Sequence, residues 1–404
     1  MRDRLRILIL THNFPRFRDD FSGVFISLLA RRLAEHDITP FVLAPHDANV
    51  AEQEEIESVH VRRFRYAADA REETLAYRGN MHQQVFGSPS GLFRFRRFLR
   101  CFREAALETI KREQIDVLFG HWLVPAGMVM KSIRRRTSLP MILSSHGTDI
   151  RLLSRYRRLV YPYFNGLVHS LKRWTVVSSF LKEKLLEIDS NLAGLVDVLP
   201  LPHDENLFYP DNTIDREPNL VVSVARFTEQ KRVLHLVRAF ALVHRENALA
   251  RLELYGTGPL QSDIEQLIKD LALQQCITVF PPIPHEELGR VYNRAAAVVL
   301  NSCQEGFGLT LSEAMLCGTP VIGTNSGGIT DIVTHDQTGL LVELDDVNSL
   351  SRAILYMLRD DSLCRRLGEA GRRFAATTYA SAPLASRYAD ILRNAAHGTM
   401  EHGQ

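Results

Sequence analysis

Short apolar runs that read as strands alternate with segments of helical period along this chain, and the alternation starts twice. LRILIL leads into ISLLARRLAEH and then PFVLAP, and further on DVLFGHW is followed by AGMVMKSIRRR and PMILSSHG. That is the rhythm of a parallel α/β sheet. After the proline-punctuated stretch LPLPHDENLFYPDN, Leu199 to Asn212, it resumes with NLVVSVARF, a helix through HLVRAFALVHRE, then RLELYGTGP, CITVFPP, AAAVVLNS and PVIGT. A second α/β domain therefore starts near residue 213. A length of 404 residues, with 45% hydrophobic and 24% charged content, supports a full core in each of two domains. Without a short internal repeat, the expected pseudo-symmetry is one of architecture, two Rossmann-like halves. Ligands of open α/β sheets bind at the carboxyl ends of the strands, so two such domains facing each other would line a cleft with strand-end loops.

Composition narrows the function classes. Five cysteines, Cys101, Cys276, Cys303, Cys317 and Cys364, are odd in number, scattered and without metal-ligand spacing. They support neither a disulfide framework nor a zinc site, and they fit a reducing cytosol. The opening MRDRLRILILTHNFP reads as a first strand, because His12, Asn13 and Pro15 end its apolar run before a signal-peptide core is complete. No run of about 18 apolar residues offers a membrane span, which leaves peripheral contact open. The formal net charge is +2, yet residues 1–210 carry 31 Lys and Arg against 24 Asp and Glu, while the remainder carries 18 against 23. Either the halves face different partners, the basic one something anionic, or the asymmetry is ordinary surface variation.

The densest chemistry lies in NSCQEGFGLTLSEAMLCGTPVIGTNSGGITDIV, Asn301 to Val333, which follows the apolar run AAAVVL. Gly306 and Gly308 let the backbone approach a ligand closely, and the amides that follow point outward at a helix start. Glu305 precedes this turn and Glu313 stands one or two turns into the helix. A carboxylate accepts two hydroxyl hydrogen bonds at once, and charge-assisted bonds are stronger than neutral ones. The plain alternative is a solvated loop glutamate and a helix-terminal charge favoured by the dipole. In VVSVARFTEQKR, Arg226 follows a strand and Lys231 comes five residues later. One guanidinium and one ammonium can neutralise a departing diphosphate without a metal, or they can simply belong to a solvated basic loop. His146 follows the run PMILSS at a strand end, with Asp149 as its partner or as a cap of the next helix.

Together these motifs resemble family 4 of the retaining glycosyltransferases, in which two glutamates separated by seven residues flank a Gly-Phe-Gly turn. The resemblance covers nearly the whole chain. It implies a GT-B fold, two Rossmann-like domains facing each other across a cleft: residues 1–210 bind the acceptor, residues 211–375 bind the nucleotide-sugar donor, and a C-terminal helix, 376–400, packs back on the first domain. By the same resemblance Glu305 holds the donor sugar, Glu313 the nucleotide ribose, Arg226 and Lys231 the diphosphate, and His146 reaches the sugar near the reacting carbon. Gly306, Phe307, Gly308 and Leu309 form the donor-side turn. Gly256 in YGTGP lies near the nucleotide, and the backbone around Ile283 in FPPIPHEEL reads the base. Gly23, after FPRFRDDF and Ser22, belongs to the loop that approaches the donor phosphate. Family members often carry two adjacent glycines there, where this chain has one. HWLVPAG, with His121, Trp122, Pro125 and Gly127, also matches, through packing or acceptor contact.

The implied reaction is transfer of a hexose from a UDP- or GDP-sugar with retention of anomeric configuration, needing no metal and no cofactor. Rival readings are a sugar-nucleotide epimerase or hydrolase on the same scaffold and a non-catalytic nucleotide-sugar-binding protein. GLFRFRRFLRCFREA, Gly91 to Ala105, interleaves five arginines with Phe93, Phe95, Phe98, Leu99 and Phe102. As a helix it either contacts an anionic membrane or packs its phenylalanines inward and solvates its arginines. RRR at 134–136 and Arg151, Arg155, Arg157 and Arg158 add to this positive half. No nucleic-acid recognition motif accompanies them, so nucleic acid is not an expected partner. The expected acceptor is a polyprenyl-diphosphate-linked glycan in cell-surface polysaccharide assembly. The expected location is the cytoplasm, in peripheral contact with the inner face of the membrane.

Overall fold

The computed structural model describes residues 4–17, 20, 22–77 and 81–398, with the side chains of residues 82, 83 and 86 left aside. The chain forms two compact units, Met1–Pro202 with Ser381–Gln404, and His203–Ala380.

The first unit is built on eight strands: β1 (Leu5–Leu10), β2 (Ile38–Pro45), β3 (Gln53–Ile56), β4 (Val59–Phe64), β5 (Val117–His121), β6 (Met141–Ser145), β7 (Leu171–Val176) and β8 (Val196–Val198). They form one sheet in the order β3-β4-β2-β1-β5-β6-β7-β8. All neighbours run parallel except β3 against β4. Ile7 to Leu10 are all fully buried, which explains why this part of β1 is unbroken apolar sequence: a central parallel strand is covered on both faces. β3, QEEI, is a short edge strand whose glutamates discourage pairing with another chain.

Helix Val24–Ala34 packs against helix Ser381–His397, while helices Pro89–Glu113, Met128–Ile133 and Arg157–Val168 pack in succession. Although it comes last in the described chain, Ser381–His397 belongs to this unit's core, where Leu384, Tyr388 and Leu392 join Ile7, Val42 and Phe119. The Tyr388 hydroxyl donates to the Leu199 carbonyl at 3.0 Å. Pro89–Glu113 starts where Ser88 Oγ accepts the Gly91 N–H and a proline opens the first turn. Phe98 and Phe102, four residues apart, are fully buried, and Phe102 stacks on Phe64 at 4.5 Å. Each such burial contributes roughly 1.5–3 kcal/mol. Phe93 stays exposed. Of the two readings of this segment, inward packing therefore describes Phe98 and Phe102.

In the second unit, β9 (Glu217–Val224), β10 (Arg251–Tyr255), β11 (Ile277–Phe280), β12 (Ala295–Leu300), β13 (Val321–Thr324) and β14 (Leu340–Val342) form an entirely parallel sheet. Its order is β11-β10-β9-β12-β13-β14. Every residue of β12 is buried, and Ala297 and Val299 meet Val221 of β9 and Phe240 of helix Val233–Glu246 in one core. Among the described residues no helix is long and apolar enough to cross a membrane.

Candidate active site

In the second unit the strand order reverses between β9 and β12, so the loops leaving their carboxyl ends meet. After β9 the chain passes through Arg226, which is exposed, into a short 3-10 turn at Glu229–Lys231. After β12 it runs to helix Leu309–Leu316, whose N-terminus is capped by Gly308 at φ +119 and carries no side-chain cap. Hydrogen bonds lace the two loops together, among them one from Asn301 Nδ2 to the Arg232 carbonyl at 3.3 Å. The Cys303 N–H donates to the Gln230 carbonyl at 2.8 Å, Gln230 Nε2 to the Gln304 carbonyl at 3.3 Å, and Thr310 Oγ1 to the Val224 carbonyl at 3.0 Å.

Across this seam Lys231 Nζ lies 2.5 Å from Glu305 Oε2, with the side chains only 20% and 15% exposed. Glu305 is held from behind by the bridge to Gly327 and by the Gly328 N–H, which donates to its carbonyl at 2.8 Å. Each partner of the pair suits a different part of a nucleotide sugar: a carboxylate accepts from hydroxyls, and an ammonium donates to phosphate oxygens. Gly306 and Phe307 lie in the same turn, Phe307 buried. Gly256 follows β10, and its N–H donates to the Phe280 carbonyl at 3.1 Å. A side chain there would place Cβ 1.9 Å from the Ala225 carbonyl oxygen, so only glycine lets the β10 loop lie against the β9 loop. Ile283, half-buried, lines a hollow of about 620 Å³ with Tyr255, Glu287, Arg290, Val291 and Arg294.

Glu313 is buried and both its oxygens are engaged. Oε1 lies 3.0 Å from His285 Nε2, and Oε2 accepts from the Tyr292 hydroxyl at 3.1 Å. Burial disfavours a charged His285 ring, but the Glu313 carboxylate more than offsets it and the pKa is raised. Burial, and then Glu313, push the Tyr292 hydroxyl well above its ordinary value. A solvated helix-terminal charge does not describe this glutamate: its carboxylate is locked to one face of helix His285–Arg294.

The first unit has a matching reversal between β1 and β5. His12 follows β1, His121 ends β5 and His146 follows β6. His121 Nδ1 lies 3.0 Å from His146 Nε2, with the rings within 3° of parallel. Trp122 packs on both neighbours, its ring centroid 4.6 Å from that of His12 and 4.5 Å from that of His146. Burial lowers His12 to about 4 and His121 to about 3. Burial, and then His121 and His12, take His146 well below the ordinary histidine value. At neutral pH the pair is uncharged and shares one proton in the bond between the rings, so His146 Nδ1 is free to present either a lone pair or an N–H. That atom is buried and, among the described residues, has no hydrogen-bond partner.

Asp149 neither pairs with the His146 ring nor acts as a simple cap. Its carboxylate accepts main-chain N–H groups of Leu123 at 2.9 Å, His146 at 3.3 Å, Gly147 at 3.2 Å and Ile150 at 3.1 Å. Four lone-pair sites facing a tight turn collect amides, so Asp149 fixes the loop and His121 takes the ring. Gly23 caps helix Val24–Ala34 at φ +70, where a Cβ would stand 2.3 Å from the Asn13 carbonyl oxygen. Among the described residues no group of three or more His, Cys, Asp or Glu is arranged to hold a metal ion.

Sequence reasoning left His12, His285 and Tyr292 unassigned and His121 between packing and contact. One signal was available: His285 and Tyr292 stand seven residues apart, two turns along one helix face.

Residues 205–374 match the family described as Glycosyl transferases group 1, and residues 22–200 match Glycosyltransferase Family 4. The chain is 28% identical over 310 residues to the N-acetyl-alpha-D-glucosaminyl L-malate synthase of Bacillus anthracis, covering 72% of this chain and 79% of that protein. It is 24% identical over 407 residues to the GDP-mannose-dependent alpha-(1-6)-phosphatidylinositol monomannoside mannosyltransferase of Mycolicibacterium smegmatis, covering 96% and 98%. Among solved structures, sucrose-phosphate synthase from Thermosynechococcus elongatus matches with a TM-score of 0.78 at 22% identity, over 97% of this chain and 99% of that one. Anabaena HepE in complex with UDP-glucose matches with a TM-score of 0.73 at 15% identity, over 97% and 100%. At these identities the solved structures establish the fold, which is GT-B. The two family matches run through both units, and the chain belongs to glycosyltransferase family 4.

Proposed function

We propose that this glycosyltransferase moves a hexose from a UDP- or GDP-sugar, with retention of anomeric configuration and without a metal, to a lipid-linked glycan of cell-surface polysaccharide assembly at the cytoplasmic face of the membrane. The observation that carries the donor half is the 2.5 Å contact between Lys231 and Glu305 at the carboxyl ends of β9 and β12.

Donor binding splits that pair. Glu305 turns to sugar hydroxyls, while Lys231 and Arg226 take the diphosphate and meet the negative charge that builds as it departs. A leaving phosphate oxygen accepts the acceptor's proton on the face where the new bond forms, so neither glutamate acts as a nucleophile. Glu313 anchors the ribose with the lone-pair sites that His285 and Tyr292 leave over. His146 supports the developing cationic sugar. Its ring is kept neutral by burial, so it adds no repelling charge. Two names support the substrate classes: the mycobacterial relative is GDP-mannose-dependent with a phosphatidylinositol monomannoside acceptor, and HepE was solved with UDP-glucose.

The test is thermal stabilisation by UDP-, GDP- and ADP-sugars and their bare diphosphates, with wild type beside Arg226→Ala, since a ligand that binds only the folded state raises the melting point. Stabilisation by one base, lost in the variant, is expected, followed by transfer in EDTA with the donor's anomeric configuration kept in the product. No shift with any donor defeats the donor assignment. An inverted product or EDTA-sensitive transfer defeats the retaining, metal-free mechanism, and donor consumption without an acceptor favours an epimerase or hydrolase.

A further inference from the structure

We infer that the first unit docks on an anionic lipid surface through helices Thr148–Arg155 and Arg157–Val168, and not through the arginine- and phenylalanine-rich helix Pro89–Glu113. The inference rests on the membrane-side reading above and names the element that makes the contact.

The two basic segments differ in what they have left to offer. In Pro89–Glu113 the large apolar groups Phe98 and Phe102 are spent in the core. Several of its arginines already face carboxylates: Arg97 lies 3.8 Å from Glu72, and Arg100 and Arg103 lie 3.4 and 3.6 Å from Glu104. Leu92 and Phe93, at one end, are the large apolar side chains that remain exposed.

From Ile150 to Lys182, by contrast, the sequence contains no Asp or Glu. Arg155, Arg157 and Arg158 are exposed and Arg151 half-buried, and among the described residues none of the four pairs with a carboxylate. Arg157 donates to the Ile188 carbonyl at 2.6 Å, a contact that leaves its charge uncompensated. Asp189, just beyond, is engaged by the Tyr161 hydroxyl. Between these cations the surface is apolar: Leu159 is 78% exposed, Tyr156 45% and Tyr163 44%. Leu159 and Tyr163, four residues apart, share one face of helix Arg157–Val168 and Tyr156 stands at its N-cap, while Phe164, Leu167 and Val168 turn into the core. Lys131, from the neighbouring helix Met128–Ile133, holds its ammonium 3.2 Å from the Tyr163 ring centroid and adds a cation beside the same face.

A leucine flanked by tyrosines suits the boundary between headgroups and acyl chains, where an aromatic ring has one apolar and one wet end. Unpaired guanidiniums suit lipid phosphates, which they can grip with two hydrogen bonds each. An uncompensated run of arginines is attracted to an anionic leaflet, and the attraction is screened by salt.

The experiment is co-sedimentation of the full chain at low salt with phosphatidylglycerol/phosphatidylcholine vesicles and with pure phosphatidylcholine vesicles. Wild type is expected to bind the anionic vesicles and to be released by salt. Arg155→Glu with Arg158→Glu should weaken binding by at least about tenfold. Leu159→Ser, at an exposed position that the fold does not need, should weaken it a few-fold with an unchanged melting point. Phe93→Ser with Arg96→Glu, on the other helix, should bind as wild type does. Full binding by the Leu159 and arginine variants, or loss in the Phe93 variant alone, overturns this assignment while leaving the membrane reading standing. A wild type that sediments with neither vesicle defeats the membrane reading itself. A wild-type dimer that Leu159→Ser splits, with vesicle binding intact, would make the surface a contact between copies of the chain and also overturn the inference.

Discussion

At the strand ends of the second unit, charge is kept and paired, Lys231 with Glu305 and Glu313 with His285. At the strand ends of the first, His12, His121 and His146 are stripped of charge by burial and stacked among Trp122 and Phe25. The underlying architecture is the same, a sheet whose central strands are parallel and whose strand order reverses and opens a crevice. One topology therefore supports two electrostatic regimes, and the loop residues decide which one applies. In the reaction proposed above, the diphosphate calls for cations already in place, whereas a sugar turning cationic calls for polar atoms that bring no positive charge of their own.

The largest expected effect comes from removing the cation of the charged site. Lys231→Ala should lower kcat by about 10²–10³-fold while the melting point stays near wild type. Turnover within a few-fold of wild type would show that pairing at this site has no catalytic meaning. Next, Glu313→Leu would leave the buried Tyr292 hydroxyl and the half-buried His285 without their acceptor. Urea unfolding, followed by a probe in the second unit, should show a loss of about 2–4 kcal/mol. An NMR titration should find His285 protonating at lower pH than in wild type, because the group that raises its pKa is gone.

The neutral site responds to acid. His121 titrates near 3 and His12 near 4 in the folded protein, against about 6.5 unfolded, so between these values the unfolded chain binds more protons. The stability these rings contribute is complete above pH 6.5 and declines as pH falls towards their folded values. Between pH 7 and 5.5 the loss should be about 1 kcal/mol per ring. Unfolding curves of wild type and His121→Phe over that range, probed in the first unit, should converge; parallel curves would remove these histidines from the comparison. The smallest effect is reserved for Arg226→Ala. Its side chain is exposed, so stability without ligand should stay within about 0.5 kcal/mol of wild type. A calorimetric loss well above that would give Arg226 a structural role beside its proposed one.

Elements buried on both faces were the most legible in the sequence. Residues 7–10 in β1, residues 220–222 in β9 and all of β12 are apolar because the centre of a parallel sheet has no wet side. β3 and β14 escaped notice for opposite reasons: QEEI at an edge carries no apolar alternation, and LLV is only 3 residues long. The strand-end positions of Arg226, Lys231 and Glu305 were legible because each lies just past an apolar run. The Glu313 clamp was not, because its partners lie 28 and 21 residues away on another helix. The histidine pair depends on register: His121 faces Ser144 across β5 and β6, which brings the next strand-end ring, His146, within reach. In Gly91 to Ala105 the arginines dominate the eye, but the four-residue step from Phe98 to Phe102 decides which face turns inward.

The placement of Ser381–His397 in the first unit's core sets an order of assembly during synthesis. A ribosome emits β1 to β8, then every residue of His203–Ala380, before Leu384, Tyr388 and Leu392 emerge. The second unit has its whole sequence in hand while the first still lacks a wall of its core, so the half that begins first is the half that closes last. Translation stopped just before Ser381 would release a complete second unit tethered to a first unit with an open apolar seam, the kind of surface that chaperones bind and proteases find.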